Sequence, residues 1–329
     1  MTHQTALVTG ITGQDGAYLA KLLLEEGYKV CGTVRDTAHP NLQNLIFLDI
    51  GERVELVSTN LLDLSNVIRL IEKVQPHEIY NLASQSSVGL SFQLPIGTVE
   101  FNVLSTINLL EAMRIVPCKA KFYQASSSEM YGRVKTLPVT EETTIHPVSP
   151  YAISKAAAHW TAVNYREAYG LFSCCGILFN HESVLRGQHF VTKKVISTAA
   201  RISKGTKERL TLGNINIQRD WGYAPAYVQV MWKMLQQEQP DDYVIATGEA
   251  HSLKEFVELV FKHLGLNWQD HVTLDKDLYR PSDIEIMSGD PTKARTKLGW
   301  QYKLSFEDLT GLLVEEELRY ADVAVSPTS

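Results

Sequence analysis

The 329-residue sequence predicts an α/β protein, a Rossmann-type doubly wound parallel sheet followed by a smaller mixed α/β substrate domain. Three observations carry that expectation. Short β-branched runs alternate with helical patterns as far as Phe179, a three-glycine loop joins the first strand to the first helix, and beyond Phe179 the strict alternation lapses. The length allows about two domains and ample chain to bury a core without disulfides or metals.

In chain order, strands are expected at residues 6–9, 29–34, 54–58, 78–81, 121–125 and 174–178. The helices between them carry apolar residues at helical spacing, such as Tyr18, Leu19, Leu22 and Leu23, then Val103, Ile107, Leu110 and Met113. Past Phe179, residues 191–204 and 225–238 read as helices, the second with its proline at the tolerated first position. A strand at 242–247 and helices at 253–265 and 305–319 follow, separated by Gly, Pro and Asn breaks. The division expected is a Rossmann domain over 1–179 with parts of 215–250, and a ligand domain formed mainly by 180–329. Asp290 and Trp300 read as structural, the tryptophan as core under the last helix.

Composition narrows the function classes. With 44% hydrophobic and 21% charged residues the chain has ordinary soluble-enzyme composition. Its 31 Lys and Arg against 37 Asp and Glu give a net charge of −6 with no long basic run, which argues against nucleic-acid and anionic-membrane partners. A phosphate-bearing ligand must therefore be captured locally. The four cysteines form no C-x-x-C pair, and the histidines show neither H-x-x-x-H spacing nor cysteine neighbours, so a cytoplasmic protein with reduced thiols and no metal is expected. Met1-Thr2-His3-Gln4 shows no basic n-region and no apolar segment reaches membrane-spanning length, so neither a signal peptide nor an anchor is expected.

The first strand ends in Gly10-Ile11-Thr12-Gly13-Gln14-Asp15-Gly16 and opens directly into a helix. Glycines at that spacing permit a tight turn and close approach of a pyrophosphate, held by backbone amides and the helix dipole, so a dinucleotide site is expected. The second strand ends Val34-Arg35-Asp36. An Asp would accept from a ribose 2′-hydroxyl and an Arg would pair with a 2′-phosphate; Arg35 comes first, which favours NADP, with NAD as the alternative that Asp36 allows.

Tyr151 and Lys155 stand one helical turn apart, where the cation can lower the phenol's pKa towards a useful base. Ser126-Ser127-Ser128-Glu129 follows the strand at 121–125, at the carboxyl edge where open α/β sheets bind ligands. A hydroxyl, a tyrosine, a lysine and a nicotinamide suffice to oxidise an alcohol; Glu129 asks for a further proton transfer. Arg186, Arg219 and Arg280 offer planar guanidinium groups suited to a diphosphate.

Together with Asn81-Leu82-Ala83-Ser84-Gln85-Ser86, Tyr131-Gly132, Asn180-His181-Glu182-Ser183 and Arg219-Asp220-Trp221-Gly222, these segments resemble the GDP-mannose 4,6-dehydratase family of extended short-chain dehydrogenase/reductases over nearly the whole chain. The 180–183 segment is the most specific piece. The resemblance implies an internal redox cycle. Tyr151 removes the C4 hydroxyl proton while hydride passes to the nicotinamide, Glu129 with Ser127 removes the C5 proton and assists loss of the C6 hydroxyl, and the hydride returns to C6. It also implies cofactor contacts at Asn60 and Leu61, a GDP-sugar held by Gln85, Ser86, Asn180, Glu182, Arg186, Lys193, Arg219 and Arg280, and a homodimer or homotetramer, with a dimer through helices 96–113 and 151–168 as the default.

The chain departs from the family pattern at several positions. Ser127 stands for the usual Thr, Asn60 for Asp, Ser87 and Tyr223 for His, Val184-Leu185-Arg186 for a Pro-containing run, and residues 36–48 lack the Arg-rich loop that serves NADP and tetramer assembly. The differences at 87, 184 and 223 keep a GDP-heptose open as substrate. A UDP-glucuronate decarboxylase, disfavoured by the 180–183 segment, and a catalytically idle NADP-binding regulator are the competing readings.

Overall fold

The computed structural model describes residues 4–279 and 282–324, with side chains given to Tyr320. The sheet-forming half runs β1 (Thr5–Thr9), α1 (Gln14–Glu25), β2 (Lys29–Val34), α2 (Gln43–Phe47), β3 (Glu55–Ser58), α3 (Leu64–Val74), β4 (Glu78–Asn81), α4 (Val88–Gln93), α5 (Pro95–Ile115), β5 (Lys121–Ser127), α6 (Pro150–Tyr169) and β6 (Ser173–Leu178). The remainder is β7 (Asn180–Glu182), α7 (Val191–Ser203), β8 (Leu210–Leu212), β9 (Gln218–Arg219), β10 (Trp221–Tyr223), α8 (Ala224–Leu235), β11 (Tyr243–Ile245), α9 (Leu253–His263), α10 (Thr292–Leu298) and α11 (Phe306–Ala324), with further short strands at His251–Ser252, Val272–Leu274 and Ile286–Met287.

Seven parallel strands form the main sheet in the order β11-β6-β5-β4-β1-β2-β3. The order reverses direction at β1, and crevices outside the carboxyl ends of β1 and β4 are where such sheets bind ligands. Burial on both faces explains why the strands read as near-continuous apolar runs rather than alternating ones. Leu19 and Leu23 of α1 and Val230 and Met231 of α8 cover one face. Val67 and Leu70 of α3, Leu109 and Met113 of α5, and Ala162 of α6 cover the other. Asp63 caps α3, its carboxylate accepting from the amides of Ser65 and Asn66.

A second core, with Val195 and Ile196 of α7, Phe256 and Phe261 of α9, and Leu309 and Leu313 of α11, lies beyond the carboxyl edge of the sheet. Two elements after Phe179 return to the first core: β11 pairs with β6, and α8 packs on α1. Trp300 is buried core as expected; its indole donates to the Ala226 carbonyl of α8 at 3.0 Å and packs with Tyr227, in a cluster against which Tyr320 of α11 also packs. Strand β5 runs two residues further than expected, through Ser127, because Ser126 and Ser127 pair with Ile177 and Leu178 of β6. No described helix is long and apolar enough to cross a membrane.

Candidate active site

The loop after β1 is built from contacts only glycine tolerates. Gly10 has φ +69°, and a Cβ there would stand 2.9 Å from the Ala83 amide nitrogen. A Cβ on Gly16 would strike the Gly10 carbonyl and lie 2.6 Å from Ile11 Cα, so helix α1 could not seat against the turn. Thr9 ties the turn to the next strand end, its hydroxyl donating to Asn81 and accepting from the amides of Leu82 and Ala83. No side chain caps α1, whose first amides are left for an anion.

Gly10, Thr12, Gly13, Gln14, Asp15, Gly16, Arg35, Asn60 and Leu61 all line one cleft running from this loop past the ends of β2 and β3. A second cleft meets it at the carboxyl ends of β5 and β6. Ser86, Ser127, Glu129, Tyr151, Lys155, Asn180, Glu182, Arg186 and Arg219 line the second. Asp15, Ser86 and Arg186 border both. Gln85 borders the first cleft, its amide spanning Ser87 and Thr98 on α5. Arg280 lies outside the described residues.

Lys193 borders neither cleft. Its ammonium is buried, donating to the Val184 carbonyl at 2.7 Å and paired with Glu317 of α11 beside the Tyr320 ring. The residue of this pair that reaches the second cleft is Lys194, one position on and rotated about 100° around α7, with Nζ 2.7 Å from the Thr211 carbonyl. Arg219 is buried and donates to the carbonyls of Gln218 and Ile284, with Asp283 at 3.6 Å. Of the departures at the sugar end, Ser87 borders the second cleft, whereas Val184 and Tyr223 do not; Tyr223 bonds Glu316 of α11 instead.

At the junction, the Ser127 hydroxyl accepts from the Glu129 amide at 3.3 Å, so a single 3₁₀ turn carries Glu129 round beside Tyr151. Ser149 caps α6 through the Ala152 amide and fixes Tyr151 in its first turn. Lys155 donates to the Ala125 carbonyl at 2.9 Å, and burial lowers its pKa to about 8. The expected lowering of the phenol by this cation is not what the geometry gives. Burial pushes Tyr151 up to about 12 and the Glu129 charge adds to it, while a hydrogen bond with Ser127 and the more distant Arg186 work against the rise. The lysine nitrogen is 5.9 Å from the Tyr151 ring centroid and committed to the strand. Burial thus favours the neutral phenol, and the groups that favour the phenolate are the Ser127 hydroxyl and Arg186 rather than Lys155.

His181, inside the 180–183 segment, is a further residue of the site. Its Nε2 lies 2.9 Å from Asp15 and its Nδ1 2.7 Å from the Phe179 carbonyl, and the ring stacks on Tyr227. Burial alone would raise Asp15, but His181, with Gln14 and Arg186, holds it down to about 2; burial lowers His181 and Asp15 more than reverses this. The signal was a buried histidine in the most specific segment, but its acidic partner lies 166 positions away. A second unread network fixes α6: Asn102 of α5 donates to Ser154 and to the Gln85 carbonyl, and Ser154 donates to the Tyr151 carbonyl. Among the described residues, the cluster His159, Cys175 and Asp242 could offer three metal-binding atoms, but Asp242 makes a two-pronged pair with Arg166 and His159 bonds Ser126.

Solved structures share this architecture. A UDP-glucose 4-epimerase from Thermotoga maritima matches with TM-score 0.87 at 23% identity over 97% of this chain and 100% of its own. A dTDP-glucose 4,6-dehydratase from Bacillus anthracis in complex with NAD matches with TM-score 0.84 at 22% identity, covering 97% and 98%. RMD from Pseudomonas aeruginosa complexed with NADPH matches with TM-score 0.79 at 23% identity, covering 96% and 99%. These likenesses establish the fold. Sequence relatives reach further: GDP-mannose 4,6 dehydratase 1 of Arabidopsis thaliana is 48% identical over 97% of this chain and 91% of its own length, and the GDP-mannose 4,6 dehydratase of Homo sapiens is 43% identical over 99% and 93%. The family model described as GDP-mannose 4,6 dehydratase matches residues 7–312, and with relatives of this closeness the chain belongs to the GDP-mannose 4,6-dehydratase family.

Proposed function

We propose that the chain is an NAD(P)-dependent hydro-lyase that converts GDP-mannose to GDP-4-keto-6-deoxymannose. The observation that carries the reading is Glu129 beside Ser127 and Tyr151 where the two clefts meet, because alcohol oxidation alone has no use for that carboxylate. The glycine cradle fits a dinucleotide pyrophosphate, since a Cβ at Gly10 or Gly16 would fill the space beside the helix amides. When bound, the dinucleotide supplies an acceptor for the C4 hydride and returns the same hydride to C6.

The chain's own groups move the protons. Tyr151 takes the C4 hydroxyl proton in its phenolate form as the hydride departs; Ser127 and Arg186 favour that form against burial, the positive nicotinamide of the bound dinucleotide would add to them, and Lys155 holds positive charge behind the site from its seat on Ala125. The 4-ketone acidifies C5–H, Glu129 takes that proton, and the carboxylic acid then protonates the departing C6 hydroxyl, so carbon-acid base and leaving-group acid are one residue; as hydride adds to C6 the proton held by Tyr151 passes to C5, which closes the cycle. Arg186 and Arg219 serve the GDP diphosphate, Asn180, Glu182 and Ser86 face the sugar, and Lys194, which borders the second cleft, takes the place of the buried Lys193.

The chain's division into a dinucleotide lobe and a nucleotide-sugar lobe and a cytoplasmic location, supported by free thiols at Cys31, Cys174 and Cys175 in the core, belong to the same reading. So does a homodimer: Ile96 (80% exposed), Leu104 and Ile115 on α5 and Ile153 and Trp160 (57%) on α6 leave apolar surface on two helices that pack side by side. The test is incubation with GDP-, UDP-, CDP- and dTDP-hexoses, read by mass. Loss of one water from GDP-mannose supports the assignment; loss of carbon dioxide from UDP-glucuronate, or no turnover of any sugar, overturns it.

A further inference from the structure

The residues at the end of β2 left two dinucleotides open, and the geometry there distinguishes them. Resting on the dinucleotide reading of the first cleft, we propose that Asp36 selects NAD over NADP by accepting from the free adenosine ribose hydroxyls, with Arg35 acting as a stacking surface rather than a phosphate clamp.

Asp36 stands twenty positions after Gly16, where an acid at the end of the second strand of a dinucleotide fold meets the ribose. It lines the cleft, and its Oδ1 accepts from the Ala38 amide at 2.8 Å, which ties the carboxylate to the rim through Oδ1 rather than Oδ2. His39 lies 3.7 Å from that Oδ2. Arg35 is already placed otherwise: its guanidinium lies 5.6 Å from the centroid of the Phe101 ring on α5, a flat cation over an aromatic face. Glu100, the next residue along α5, lines the same cleft. A 2′-phosphate would bring about two negative charges into a rim that holds two carboxylates, with one guanidinium seated on a ring. A ribose diol instead supplies the donors that a fixed carboxylate accepts.

The test is binding rather than turnover. The dinucleotide released from purified full-length protein on denaturation is identified by mass, and affinities of stripped protein for NAD⁺, NADP⁺, 5′-AMP and 2′,5′-ADP are measured by calorimetry. Wild type should release NAD and bind NAD⁺ at least about tenfold more tightly than NADP⁺, with the mononucleotides following the same order. Asp36→Asn should narrow the ratio and Asp36→Arg reverse it, while Arg35→Ala should move it less than about threefold. Asp36 is 63% exposed, so these variants leave the fold in place. Equal or tighter NADP⁺ binding by wild type, or a ratio governed by Arg35 and indifferent to Asp36, overturns the proposal. If no dinucleotide is released or bound, the dinucleotide reading itself fails.

Discussion

Replacing Asp15 by Asn removes the anion that His181 faces across 2.9 Å. Burial by itself raises this carboxyl, yet His181, Gln14 and Arg186 bring it from the ordinary 3.8 to about 2. A displacement of that size is worth about 2 kcal/mol of native-state stability at neutral pH. The depressed carboxylate contributes above its unfolded pKa and loses that contribution as pH falls through about 2. The histidine is opposite in sign: burial lowers it and Asp15 raises it more, so its contribution is full below the ordinary 6.5 and fades as pH climbs through the raised value. Both describe one interaction, counted once. For a chain of this length about 2 kcal/mol is about 3 °C in Tm. Scanning calorimetry should show Asp15→Asn melting about 3 °C below wild type at pH 6.5, with the gap narrowing towards pH 9.5 as wild type surrenders the same pair. An unchanged Tm at pH 6.5, or a gap insensitive to pH, refutes the reasoning.

Tyr151→Phe should abolish C4 oxidation, whereas Glu129→Gln should still oxidise C4 and accumulate reduced cofactor without losing water, read by absorbance and mass; full activity in either removes the assigned roles. Because Lys155 has its pKa lowered to about 8, kcat should fall as pH rises past that value, and Lys155→Arg, with a permanently charged side chain, should retain whatever activity it has across the same range. Lys193→Met strands Glu317 in the core and should cost about 3–5 kcal/mol in urea unfolding, most of it recovered by Lys193→Met combined with Glu317→Met. Ile96→Lys with Trp160→Glu should convert a dimer to monomer in analytical ultracentrifugation; if wild type is itself monomeric, the apolar faces of α5 and α6 have another purpose.

The sheet was legible in the sequence because each strand is a short apolar run closed by a turn signal, and the loop from Gly10 to Gly16 permits few other structures. What was hidden depends on pairings distant in sequence. Strand β5 could not be read through Ser127, since serines favour turns and only the partner strand β6 holds these two extended. The choice between Lys193 and Lys194 was invisible for the same reason: either fits a basic position on α7, and the decision rests with Glu317 on the last helix. The proposed quartet of Ser127, Glu129, Tyr151 and Lys155 was picked out by type and spacing, and the fold brings the four to one cleft, but the shift of the Tyr151 phenol was not legible, because burial and the Ala125 carbonyl that occupies Lys155 belong to the fold.

A chain of net charge −6 that holds two phosphate-rich ligands must separate its bulk charge from its local charge. The clefts do this by pairing off anions rather than adding cations. Asp15, at the mouth of the pyrophosphate loop, is answered by His181; Glu182 accepts from Thr192 at 2.6 Å and lies 3.3 Å from Arg186. That leaves the unpaired amides of α1 facing one ligand and the guanidinium of Arg186, at the shared border, near both. Neutralising the clefts' own acids raises the local potential as a new lysine would, and the mutual attraction of each pair offsets part of the desolvation cost that an isolated buried cation would bear in full. The same logic explains why His181 rather than a second arginine stands beside Asp15. Its charge is induced by its partner, so the pair forms only where the carboxylate is in place, and the loop that positions Asp15 is the loop that would hold the cofactor.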